Sequence, residues 1–261
     1  SFTLDGRTYT LDKNDGENCL HSGFHQYSKR IWTVTQHTDT SVAFSLDSPD
    51  MDQGFPGAVT MTVTYELKEN QLIISYAGTP DKDTIINMTN HSYFNLNGGG
   101  NVLGHMAVVN ASRFTPSDAQ SIPTGIFAEV AGTPMDFREP KALGQDIGAE
   151  YDQLIKGLGY DHNYAIDDYD GTTRYAVHLY SEESGILMDL STDYPGIQMY
   201  TANYLKDDNG KNGAGYHPRD AVCFEPQFFP DAINKPEFPS PVCKAGTPYH
   251  KEIIYTFTID K

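Results

Sequence analysis

Met61-Thr62-Val63-Thr64-Tyr65-Glu66-Leu67 alternates apolar and polar side chains, with β-branched and aromatic residues through its centre. A period of two is the pattern of a pleated strand with one face buried. Lys68-Glu69-Asn70-Gln71 interrupts the alternation with turn-forming residues, and Leu72-Ile73-Ile74-Ser75-Tyr76 resumes it. The three pieces together predict a β-hairpin. The same signal recurs at 31–36, 42–46, 84–88, 106–110, 176–180, 186–190, 197–201 and 253–259, with Gly, Pro, Asn and Asp between the runs. Helical patterning is confined to 142–147 and 151–156, each long enough for a turn or two and limited by flanking glycines. The expected fold is therefore all-β, a large and mainly antiparallel β-sandwich. With no repeat, low-complexity tract or linker, residues 1–261 read as a single domain. The longer irregular stretches at 98–104, 115–140 and 206–219 are where binding groups are expected.

Composition narrows the function. The 261 residues carry 18 Lys and Arg against 35 Asp and Glu, a formal charge of −17. A nucleic-acid binder needs clustered cations to neutralise phosphates, so that class is excluded. An anionic membrane surface is excluded for the same reason, and no apolar run approaches the ~20 residues of a helical span. A small neutral ligand fits the balance. Cys19, Cys223 and Cys243 form no close metal-type pair, and their odd number argues against a full disulfide framework. The expected state is three separate thiols. No secretory signal is visible, so the chain reads as cytoplasmic, although it opens Ser1-Phe2-Thr3-Leu4 with no initiator Met.

Two polar clusters stand out from this apolar background. In Thr89-Asn90-His91-Ser92-Tyr93-Phe94-Asn95-Leu96, His91 falls at or beyond the end of a predicted strand. An imidazole there suits proton transfer near neutrality, and its polar neighbours can hold both ring and ligand in register. In Cys223-Phe224-Glu225-Pro226-Gln227, Glu225 sits between an aromatic ring and a proline. Lost solvation would raise its pKa and strengthen it as a base. Pro226 biases its backbone toward an extended form. An imidazole and a carboxylate facing each other across a sugar-sized cleft would make an acid/base pair, each group raising the other's charged fraction. Asp161-His162-Asn163, after a Gly-rich turn, either presents hydrogen-bonding groups to a ligand or is an Asx-type turn opening a strand, and the local sequence favours the turn. Gln198, in Gly196-Ile197-Gln198-Met199-Tyr200-Thr201, is a polar residue in an apolar strand and needs a partner, of which a sugar hydroxyl is one. His21 and His25 are four apart in a predicted loop and lack further ligands, so no metal is expected. No nucleotide-binding glycine motif and no nucleophile elbow is present.

Taken together, these segments resemble the aldose 1-epimerase family. The resemblance is carried by Asn18-Cys19-Leu20-His21-Ser22-Gly23, the 89–96 segment, Tyr160-Asp161-His162-Asn163-Tyr164, and Pro195-Gly196-Ile197-Gln198-Met199-Tyr200-Thr201-Ala202-Asn203. Gly210-Lys211-Asn212-Gly213-Ala214 and the stretch from Phe224-Glu225-Pro226-Gln227 to Pro236 complete it. Six segments occur in family order over nearly the whole chain. The resemblance implies a β-sandwich that uses neither metal nor nucleotide cofactor. It implies His91 as general acid, Glu225 as general base, and His21, Asp161 and Gln198 as groups that bind sugar hydroxyls, with Asn90 beside them. The implied reaction is anomer exchange of free hexoses such as glucose and galactose.

Three departures from the family pattern bear on this. Family members carry a portion before the Phe-Thr-Leu-Asp-Gly segment, with several strands and an Arg that helps hold the sugar. From this the sequence predicts an N-terminally incomplete sandwich, which is completed by a second chain or by self-association, or is a piece of a longer product. Ser22 and Ala202 stand where the family commonly has Gly. A non-catalytic carbohydrate-binding sandwich is the alternative from another class, and a hexose-phosphate epimerase is the second. The latter needs extra cations in the cleft.

Overall fold

The computed structural model describes residues 1–260. It is all-β and mainly antiparallel, as the period-two patterning predicts, and its residues group into two compact units.

The first unit comprises Ser1–Met88 and Ala232–Glu252. It opens with β1 (Phe2–Leu4) and β2 (Arg7–Tyr9), a short hairpin. Next come β3 (Thr33–His37), β4 (Ser41–Ser48), β5 (Val59–Lys68), β6 (Gln71–Gly78) and β7 (Thr84–Ile85). β3 to β6 form a meander in the order β6-β5-β4-β3. The predicted hairpin is β5–β6, with Tyr65 opposite Ile74 and Lys68 opposite Gln71. Its alternation survives as burial: Met61, Val63, Ile74 and Tyr76 are in the core. The strand in the 84–88 run is shorter than expected: its ladder covers Thr84 and Ile85.

The second unit comprises Thr89–Asp231 and Ile253–Lys261. It holds β8 (Met106–Val109), β9 (Arg113–Phe114), β10 (Ala128–Glu129), β11 (Lys141–Ala142), β12 (Asp161–Ala165), β13 (Arg174–Tyr180), β14 (Ile186–Thr192), β15 (Gly196–Tyr200) and β16 (Cys223–Gln227). The chain then returns through β17 (Val242–Cys243), which pairs with β7, and ends on β18 (Tyr249–Ile259). Residues 253–259 of β18 pair with β14, so that one sheet of this unit runs β11-β8-β13-β14-β18. The other runs β10-β9-β12-β15-β16 and carries the chemistry. The only α-helix among the described residues is α1 (Asp152–Lys156), within the predicted 151–156 segment. Residues 142–147 instead begin in β11 and continue as turns. Val109, Phe114, Tyr164, Leu179, Met188 and Ile197 are buried and form the core of this unit.

The three cysteines are free thiols. Among the described residues no helix is long and apolar enough to cross a membrane.

Candidate active site

Register assembles the site. β12, β15 and β16 are adjacent and antiparallel, and residues directly opposite on such strands point to the same side of the sheet. Asn163 lies opposite Gln198, and Gln198 opposite Glu225. One step along, Asp161 lies opposite Tyr200, and Tyr200 opposite Cys223. Side chains two apart also share a face. One face therefore presents Asp161, Asn163, Gln198, Tyr200, Cys223 and Glu225 together. The opposite face carries His162, Tyr164, Ile197, Met199, Phe224 and Pro226, all buried. The Asp161-His162-Asn163 triplet is thus split by the pleat. Its two outer residues face the polar side, while His162 enters the core against Phe114, where burial pushes its pKa down to about 4.

His91 arrives from the chain preceding the first sheet and is tied to the same strand as Glu225. Phe94 and Val222 exchange backbone hydrogen bonds of 2.9 and 3.0 Å, and each lies three residues from the functional side chain it positions. Asn90 Oδ1 accepts from the Ser92 backbone N–H at 3.1 Å, an Asx turn that shapes the chain around His91. Asn95 donates to the Asp220 carbonyl at 2.9 Å, and the Leu96 N–H donates to buried His105 Nε2 at 3.0 Å. Tyr93 and Tyr200 flank the His91 ring, with centroids 5.0 and 6.0 Å away.

The result is a close pair: His91 Nε2 is 3.5 Å from Glu225 Oε1. The two groups stand at ion-pair distance, closer than two groups spanning a sugar-wide cleft. Gln198 Nε2 donates to Asp161 Oδ1 at 2.7 Å. Among the described residues no cluster of three or more His, Cys, Asp or Glu is arranged to hold a metal.

Burial dominates the electrostatics. Glu225 is 6% exposed, and burial, helped by the negative charge of Asp161, pushes its pKa up to about 8. Burial lowers the pKa of His91 and raises that of Asp161, the latter offset in part by the Gln198 hydrogen bond. The expected mutual stabilisation of imidazolium and carboxylate is therefore outweighed by desolvation. Near neutrality the pair holds about one proton, and that proton favours Glu225.

His21 belongs to the first unit. It is exposed, with its backbone in the left-handed region at φ 50°, and Ser22 follows at φ 68°. Ala202, at the end of the Gln198 strand, has φ 53°. Left-handed backbone favours glycine, so Ser22 and Ala202 each hold a conformation that side-chain-bearing residues seldom adopt.

Sequence reading alone touched Asn163 only within its triplet and passed over Cys223 and Tyr200 as members of this face. The signal was present: D-x-N, Q-x-Y and C-x-E each place polar or aromatic groups two apart. It becomes readable only when the three strands are known to be adjacent. An open depression of about 700 Å³ elsewhere in the second unit is lined by Asp136, Arg138, Lys141 and Asp146. Its cations are already paired, Arg138 with Asp136 at 2.8 Å and Lys141 with Asp146 at 3.1 Å.

Fold and site together define an all-β protein with a buried carboxylate held against an imidazole and ringed by amide, carboxylate and tyrosine groups, a set suited to polyhydroxylated ligands. The family model for aldose 1-epimerase matches residues 1–256, and the chain belongs to that family. It is 37% identical to galactose mutarotase of Bos taurus, over 99% of this chain and 75% of that one. Aldose 1-epimerase of Escherichia coli K12 is 36% identical over 98% of this chain and 75% of its own. Among solved structures, a GalM/aldose epimerase homologue from C. elegans superposes with a TM-score of 0.91 at 34% identity, covering all of this chain and 78% of the other. A galactose 1-epimerase from Lactobacillus acidophilus, 24% identical, shares the fold with a TM-score of 0.86 over all of this chain and 76% of its own. The fold is the β-sandwich of these proteins.

Proposed function

We propose that this chain is an aldose 1-epimerase interconverting the α and β anomers of free hexoses such as glucose and galactose, with Glu225 as base and His91 as acid. The observation that carries the pairing of these two groups is the 3.5 Å separation of His91 Nε2 and Glu225 Oε1. A cyclic hemiacetal has its hydroxyl and its ring oxygen on one carbon. An acid and a base that act on both must therefore stand within a few ångströms of each other.

The steps balance on these two side chains. The Glu225 carboxylate takes the proton of the C1 hydroxyl while the His91 imidazolium donates to the ring oxygen. The bond between C1 and the ring oxygen breaks, and an open-chain aldehyde forms. Rotation about C1–C2 presents the other face of the carbonyl. Ring closure returns the ring-oxygen proton to His91 and the Glu225 proton to O1. Because the free pair keeps its proton on Glu225, the productive arrangement is the minor form until sugar binds. A C1 hydroxyl donating to Glu225 favours the carboxylate and moves the proton toward His91. Asp161 and Gln198, already hydrogen-bonded to each other, would fix the sugar hydroxyls so that both transfers begin near attack geometry. The polar face contributes no Lys or Arg, which disfavours a phosphorylated hexose as substrate.

The test is polarimetry on freshly dissolved α-galactose and α-glucose. Anomer exchange well above the buffer rate is expected; exchange equal to buffer, with sugar binding intact, would establish a binding protein instead.

A further inference from the structure

Asn163 is 2% exposed, and neither polar atom of its amide has a hydrogen-bond partner. A buried amide without partners is costly, and interiors seldom retain one without a use for it. Its position on the polar face supplies that use. Asn163 lies directly opposite Gln198, and Gln198 Oε1 is likewise buried without a partner. An unpaired donor and an unpaired acceptor thus occupy facing positions on adjacent strands. The fold also keeps space for this amide. A Cβ on Gly196 would stand 2.5 Å from Asn163 Oδ1 and 2.6 Å from the Phe229 ring, so a larger residue at 196 would displace it.

We propose that Asn163 is a positioning residue of the sugar site, holding Gln198 Oε1 through a bridging water while Asp161 holds Gln198 Nε2. The inference rests on the mutarotase reading and deepens it. Gln198 then has its amide fixed at both ends. One Nε2–H goes to Asp161, and the second is aimed at a sugar hydroxyl rather than free to rotate. The bridging water has donors and acceptors on two amides, which meets the two to four partners a buried water needs. Asn163 acts through Gln198 and takes no part in proton transfer.

The experiment compares wild type, Asn163→Leu, Asn163→Ser, Gln198→Leu and the Asn163→Leu/Gln198→Leu double variant. Thermal melting, galactose Kd by titration calorimetry, and KM and kcat by polarimetry are measured on each. Asn163→Leu keeps the volume and removes the bridge to Gln198 Oε1, so its effect should fall on sugar binding more than on the melting point. Its Kd and KM should rise about tenfold while kcat stays within about threefold. Asn163→Ser, which admits water and keeps a hydroxyl, should recover most of the affinity. In the double variant the loss should not exceed that of Gln198→Leu alone, because coupled residues are not additive. If Leu is not accommodated, Asn163→Ala gives the same affinity comparison. A lowered melting point with unchanged Kd would make Asn163 structural and overturn the proposal. Losses that multiply in the double variant would also overturn it, since Asn163 would then act independently of Gln198. A wild type that binds galactose without exchanging anomers ends the catalytic reading, yet the Kd series still decides the role of Asn163. A wild type that neither binds nor interconverts galactose ends both.

Discussion

Replacing Glu225 by Gln should cut activity by orders of magnitude and stabilise the protein, and the stabilisation should depend on pH. Burial raises the Glu225 pKa from 4.5 to about 8 in the folded chain. At ~1.4 kcal/mol per pH unit, that rise is worth about 5 kcal/mol. The sign follows from proton binding. Below pH 4.5 both folded and unfolded chains hold the proton, and burial of the carboxyl carries no ionic penalty. Between 4.5 and 8 the folded chain holds the proton and the unfolded chain does not, so stability falls as pH rises. Above 8 the folded site holds a bare carboxylate, and the whole penalty is present. Gln at 225 never ionises and escapes it. Comparing the two proteins at each pH cancels the titrating groups that do not interact with Glu225, which leaves Asp161 and His91 as its coupled neighbours. The melting point of Glu225→Gln, relative to wild type, should therefore be higher at pH 9 than at pH 5. With roughly 2–4 °C per kcal/mol for a chain somewhat smaller than this one, the gain is on the order of 10 °C. Anomer exchange should fall by about 10²–10⁴ at both pH values. Equal melting differences at pH 5 and pH 9 would refute the claim that burial sets the ionisation of Glu225.

The pH profile of kcat/KM should be bell-shaped, because the reacting pair needs one proton in total; its upper limb should fall near pH 8 with Glu225 and its lower limb below the ordinary histidine value of about 6.5. Polarimetry across pH 5–9 tests this, and a single limb near pH 4.5 would contradict it. His91→Asn should lower kcat by about 10²–10⁴ while galactose Kd changes by less than about tenfold, since the ring moves protons rather than anchoring the sugar; a Kd loss as large as the kcat loss would recast His91 as a binding group. Gly196→Ala should cost about 1–3 kcal/mol, because its Cβ would press on Asn163 and Phe229; an unchanged melting point would show that this part of the polar face repacks freely.

What the sequence determined by itself was whatever is local. The alternation at 61–67 and 72–76 fixed a hairpin, because side chains two apart share a face whatever surrounds them. The same rule placed β4, β8, β13, β14, β15 and β18 within a few residues of their observed bounds. Short strands such as β9, β10 and β11 escaped it, since two residues carry no period and pair only because a neighbour is already in place. Residues 86–88 had the strand pattern, but the ladder with β17 covers Thr84 and Ile85. At the site, local reading singled out His91 and Glu225 from residue type and setting, and the family resemblance supplied roles. It could not say that Glu225, Gln198 and Asn163 form one row, because that is a property of three strands in register. Nor could it weigh two opposing effects on the pair. An imidazole and a carboxylate in contact favour each other's charged forms, while burial disfavours both. Only the tertiary structure, which leaves Glu225 6% exposed beside Asp161, decides for desolvation and leaves the proton on the base.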